Sequence, residues 1–225
     1  MPTASDSSAT LAAVAGGCAV LDGGRVSLHR QDGPVREVAR GATLVQGGDA
    51  LVVVGADVRA FDPSSRLLGT FGTGTGITGA AWLDGRVAVG FGDGSVELRE
   101  AGGAAALDLK DTPASPVTAL ARGPAGTIAA GFADGTFGVW SLGSGELLRR
   151  GAVHGAARHL AVEQDWLMAA SEVGSVASLD LSLLSADYCA VLREVWSRVP
   201  VSWKDQQAML VAPSPSHACR TRAGP

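Results

Sequence analysis

Three glycines set the beat of this chain: Gly94, Gly135 and Gly174 each sit in a polar turn between two short apolar runs, about 40 residues apart. Self-similarity at such a period constrains the fold strongly. One unit cannot bury its apolar faces alone, so the units must stack on one another. The clearest unit, VTALARGPAGTIAAGFADGTFGVWSLGSGELLRRG, divides into four strand-length runs, VTALA, TIAAGF, TFGVWS and ELLRR. Pro124-Ala125-Gly126, Asp134-Gly135 and Gly143-Ser144-Gly145 separate them. Each separator suits a hairpin, and Asp-Gly is a signal for a type I′ turn, in which both central residues take positive φ.

The preceding unit repeats this layout with Asp84-Gly85 and Asp93-Gly94 at the equivalent turns. Two shorter units lie upstream, the nearer with Gly47-Gly48-Asp49 at its inner turn, and three strands of another lie downstream in ARHLAVEQDWLMAASEVGSVASLDLS. The pattern predicts an all-β protein: a β-propeller of about five four-stranded blades, at residues 11–40, 41–76, 77–115, 116–156 and 157–184. Residues 1–10 and the Pro/Ser-rich segment 213–225 are expected to be disordered or loose.

In GFADGTFGVWSL, Trp140-Ser141 stands where the WD40 family has Trp-Asp, and Val153-His154-Gly155 precedes the next unit. By these residues and by its period the chain resembles that family. The resemblance implies a buried polar set of His, Ser or Thr, Asp and Trp in each blade. Here the set is incomplete. The fourth blade has Asp134 and Trp140 but no histidine, and the fifth has His154 and Ser171 but Leu179 in place of Trp. The repeat-defining residues are therefore Asp93, Gly94, Asp134, Gly135, Trp140 and His154, with packing carrying the stability.

Residues 185–212 depart from the repeat. In SADYCAVLREVWSRV, Tyr188, Val191, Leu192, Val195, Trp196 and Val199 follow a helical spacing behind Ser185 as N-cap, and Pro200 marks the stop. This predicts one amphipathic helix, whose apolar stripe either docks on the propeller or meets a partner. VSWKDQQAMLVA reads as two short strands, one of which could complete the fifth blade and close the ring.

Composition narrows the function. Eighteen basic residues scattered against 22 acidic ones, net charge −4, give no dense positive patch for nucleic acid. No apolar run spans a bilayer and no basic leader opens the chain, so neither membrane insertion nor secretion is expected. Cys18, Cys189 and Cys219 form neither a close pair nor an even framework, which suggests a reducing, cytoplasmic setting. Cys189, Cys219 and His217 lack the spacing of a zinc site. Gly74-x-Gly76-x-x-Gly79 precedes a strand, where a dinucleotide site needs a helix, and reads as a link between blades. Neither a nucleophile elbow nor a recognisable Cys and His context is present, so no catalytic, cofactor or metal residue is assigned. Charged residues near turns, such as Glu97, Arg99 and Arg149, are read as solvated.

The resulting expectation is a protein-interaction scaffold that presents its loops to another protein. Trp82, Arg40, Arg122, Arg158 and Trp196 are the candidate contacts, because Arg and Trp concentrate in interface hot spots. Self-association would follow if the ring is incomplete. The alternative is a sensory or regulatory module of a larger bacterial signalling protein such as a kinase or ATPase. An enzyme with an axial pocket ranks third.

Overall fold

Nearly every apolar run between turn signals becomes a strand in the computed structural model, which describes residues 9–31, 33–198, 201–204, 207–210 and 216–221. Two compact units divide the chain, Met1–Leu179 and Asp180–Pro225.

The first unit is an all-β propeller. Blade 1 is β1 (Thr10–Val14), β2 (Gly17–Asp22), β3 (Arg25–Arg30) and β4 (Arg36–Arg40). Blade 2 is β5 (Leu44–Gln46), β6 (Leu51–Val54), β7 (Asp57–Phe61) and β8 (Leu67–Thr73). Blade 3 is β9 (Ile77–Leu83), β10 (Arg86–Phe91), β11 (Val96–Arg99) and β12 (Ala105–Asp108). Blade 4 is β13 (Val117–Arg122), β14 (Thr127–Phe132), β15 (Thr136–Ser141) and β16 (Leu147–Ala152), and blade 5 is β17 (Ala157–Glu163), β18 (Trp166–Ser171) and β19 (Val176–Asp180). Each is an antiparallel meander in chain order. Thr10 thus already belongs to a strand, whereas the disorder expected for 1–8 falls on residues outside the description.

Successive blades stack front to back. The front of a blade is the face turned to the next blade, and the back the face turned to the preceding one. Val26 and Leu28 of blade 1 share a core with Leu51, Val53 and Phe61 of blade 2. Val52, Val54 and Val58 of blade 2 meet Val87 and Val89 of blade 3. Leu83, Ala88 and Leu98 of blade 3 meet Ile128, Phe132 and Trp140 of blade 4. Alternation puts Val52 on one face and Val53 on the other, so β6, buried throughout, contributes to two cores. At about 25 cal/mol per Å² of apolar surface, these junctions dominate the stability.

Hydrogen bonds repeat with the blades. The Thr78 hydroxyl donates to the Val117 carbonyl at 2.8 Å, and the Thr118 hydroxyl donates to the Ala157 carbonyl at 2.6 Å, each across 39 residues. Trp140 is fully buried; its Nε1 donates to the Lys110 carbonyl at 2.8 Å and its ring meets Phe132 edge-on at 6.0 Å.

Two expectations are corrected within the blades. Asp84-Gly85 takes positive φ at both residues (47° and 91°), as a type I′ turn requires, but at Asp93-Gly94 and Asp134-Gly135 only the glycine does. There the Gly135 N–H closes a turn onto the Phe132 carbonyl and the Asp134 carboxylate accepts from the Thr136 N–H, so the aspartate braces a longer turn from its side chain. Arg99, expected in solvent, is 9% exposed. Its Nε donates to Glu97 at 3.0 Å and its Nη1 to the Thr73 carbonyl of blade 2 at 2.7 Å, while the guanidinium lies over the Phe91 ring. Burial is tolerated because both a counter-charge and a carbonyl receive it.

The second unit contains α1 (Ser182–Ser185), α2 (Tyr188–Arg198), the hairpin of β20 (Val201–Lys204) and β21 (Gln207–Leu210), and α3 (Ala218–Thr221). The amphipathic helix forms, but its N-cap is Asp187, whose Oδ1 accepts from the Cys189 and Ala190 N–H groups; Ser185 instead ends α1. Cys189 is buried and Leu192 and Trp196 half-buried, whereas Tyr188 and Val195 are exposed; Val199 and Pro200 lie outside the described residues. The two strands, one of them expected to complete blade 5, pair with each other among the described residues, and blade 5 has three strands there. The tail expected to be loose contributes α3, and Cys219 on it is bonded to Cys189 on α2. This disulfide overturns the reading of three unpaired cysteines and removes their support for a reducing compartment; Cys18 alone is free. No described helix is long and apolar enough to cross a membrane.

Candidate interaction face

The innermost strands surround a channel. β1, β5, β13 and β17 supply residues to a cavity of about 560 Å³, which includes Thr10, Gln46, Thr118, Arg158 and His159. Strand alternation places these short polar and cationic side chains at the rim of sheets whose apolar residues pack between blades. Arg158 and His159 are the ionisable groups of this lining, and Arg158 is held by Glu172 of the β18–β19 turn at 3.1 Å.

At one mouth lies a second cavity of about 300 Å³, bounded by the β5–β6 turn, the end of β9 and the end of β13. Gln46, Gly47, Gly48, Leu120 and Leu160 line both cavities, so the mouth opens onto the channel. Gly47 admits a close approach of blades, since a Cβ there would lie 1.8 Å from the Ala13 carbonyl oxygen. Across the mouth Arg122 holds two carboxylates, Asp49 at 3.2 Å and Asp84 at 2.7 Å, joining turns of blades 2 and 3 to blade 4. All three are exposed, so the bridge contributes at most about 1 kcal/mol and leaves its charges open to a ligand. Trp82 is half-buried beside them, edge-on to Phe71 at 5.8 Å. Its indole is fixed by packing, as an anchor residue requires.

The structure therefore brings Trp82 and Arg122 to one mouth and puts Arg158 in the adjoining channel, while Arg40 and Trp196 stand elsewhere. Arg40, at the end of β4, pairs with Glu37 and through it with Arg25; Arg40's hydrogen bond holds the Glu37 carboxyl below the usual carboxylate range. Trp196 lies edge-on to the His217 ring at 5.0 Å within the second unit. Of the repeat residues, Gly94, Gly135 and Trp140 have the turn and core places described, and the exposed His154 takes part through its backbone N–H, donated to the Ser175 hydroxyl at 3.2 Å. The Ser95 hydroxyl and then its N–H hold the Asp93 carboxyl below its ordinary pKa. Asp49 and Asp84, missed as site residues, carried only turn signals in the sequence. Among the described residues no cluster of His, Cys, Asp and Glu could hold a metal ion.

No family model matches the chain, and no curated protein matches it. Solved structures do. It is similar to a chain of the crystal structure of a mitotic checkpoint complex, at 18% identity and a TM-score of 0.64, over 77% of this chain and 62% of that one. It is also similar to the computationally designed proteins Ika8 (20% identity, TM-score 0.54, 80% of this chain and 69% of that one) and Ika4 (24%, 0.50, 60% and 86%). These likenesses show the fold.

Proposed function

We propose that this chain is a WD40-type protein-interaction scaffold whose recognition surface is the channel mouth around Trp82 and Arg122. The observation that carries the reading is convergence: Asp49, Trp82, Asp84 and Arg122 come from three blades and meet beside one cavity. Their backbones are strand ends and tight turns, so the arrangement is preorganised and a partner does not bear the cost of ordering it. A fixed indole next to an exposed guanidinium and two carboxylates offers apolar contact with charge selection, the chemistry of an interface hot spot with a polar rim. The likeness to one chain of a multi-protein complex supports the same reading.

The test is quantitative affinity purification of the tagged chain and its Arg122→Glu variant from source cells, after confirming that both melt at the same temperature. A stoichiometric partner recovered with the parent and lost with the variant is the expected result. Equal recovery with both would remove the mouth as the recognition surface, and no specific partner with either would overturn the scaffold itself.

A further inference from the structure

The second strands of the two end blades, β2 and β18, carry apolar residues on both faces, yet the fold buries only one face of each. In β18, Leu167 and Ala169 are fully buried, whereas the alternating Trp166 and Met168 are 48% and 39% exposed. Val176 of β19 is 68% exposed. In blade 1 Ala19 and Leu21 are buried in the first core, while Cys18 and Val20 on the opposite face are only half-buried and Leu11 is 70% exposed. A middle strand apolar at nearly every position belongs to a sheet covered on both sides, as in blade 4, where β14 is buried throughout.

We propose that the front of blade 5 and the back of blade 1 are together a docking site for a β-sheet of another polypeptide that is apolar on both faces. The contact continues the interface already repeated between successive blades: a front face lacking a back, and a back face lacking a front. β1 and β17 line the same channel as β5 and β13, so the arc's ends stand round one axis. Two of the similar solved chains extend well past the matched portion, which spans 62% and 69% of them. Cys18, a free thiol on one of the open faces, reports its occupancy.

The experiment compares the full chain with a version bearing a second copy of residues 77–156 on a flexible C-terminal linker. Those two blades have the required doubly apolar middle strands. Labelling of Cys18 by a thiol reagent and radical oxidation of Met168 should both slow by about tenfold or more in the extended chain. The protection should vanish with Met168→Glu. Equal rates in the two chains would overturn the proposal. So would an unextended chain in which both residues are already protected, whether as a monomer covering its own ends or as a dimer. A second measurement needs no added sequence: Met168→Glu in the chain as it stands should leave the melting temperature unchanged, and a clear fall would mean that the face is already covered. Neither reporter lies at the channel mouth, so this test and the Arg122→Glu comparison succeed or fail separately.

Discussion

Gly135 and Arg99 illustrate what single positions contribute. At φ +88° a Cβ on Gly135 would sit 2.2 Å from the Val153 carbonyl oxygen, and backbone cannot retreat as a flexible side chain can. Gly135→Ala should therefore cost about 2–4 kcal/mol in chemical denaturation. Gly92→Ala, in the neighbouring blade's turn with nothing within 4 Å of the new methyl, should lie within about 0.5 kcal/mol of the parent. The glycine beat was legible because the turn dictates the residue type. Arg99 was not, since VELRE gives no sign that the Thr73 carbonyl of another blade awaits the guanidinium. Arg99→Met should cost about 2–3 kcal/mol by leaving Glu97 partly buried without its counter-charge. A loss below 0.5 kcal/mol in the same assay would mean that the blade 2–3 junction does not depend on this residue. The mouth was half legible: Trp82 and Arg122 stand out by residue type, but Asp49 is 73 residues from Arg122 and only blade stacking joins them.

At the scale of elements, strands bounded by Gly, Pro and Asp were readable because each hairpin is local, and the helix at Tyr188–Arg198 followed from its spacing. What failed were choices among equals. Ser185 and Asp187 are both capping residues, and the position of the first free N–H groups selects Asp187. The strands at Val201–Lys204 and Gln207–Leu210 could pair with blade 5 or with each other, and the two-residue connection favours the hairpin. Cys189 and Cys219 are 30 residues apart, a spacing that carries no pairing signal by itself. Closing a loop of that length removes unfolded-state entropy equivalent to about 3–4 kcal/mol. Cys219→Ser should therefore lower the stability of the C-terminal unit by up to that amount, read as early loss of helical circular dichroism on heating. The blades should melt at their parental temperature, because the bond lies within Asp180–Pro225. A matching fall in the β-sheet transition would show that the two units unfold as one.

For the propeller as a whole, stability should grade along the stack. A blade inside it has two apolar junctions and an end blade has one, and in a quasi-one-dimensional array each unit is held by its neighbours. Blades 3 and 4 combine both advantages, with β10 and β14 almost wholly buried and the Thr78 and Thr118 hydrogen bonds linking them to their neighbours. Blade 5 keeps Leu167 and Ala169 on its one covered face, and among the described residues its sheet has three strands where the other blades have four. Native-state hydrogen exchange should then find the amides of β14 and β15 opening only with global unfolding. Those of β17–β19 should exchange at least tenfold faster, a gap of about 1.4 kcal/mol or more. The N-terminal end should behave alike, with β1 opening before β6, because Leu11 is open to solvent on its free side while Val52 and Val53 are buried on both. Uniform protection from β1 to β19 would contradict this, since an open arc has no means of stabilising its ends as well as its middle. Such a profile would mean that the end faces are covered in solution.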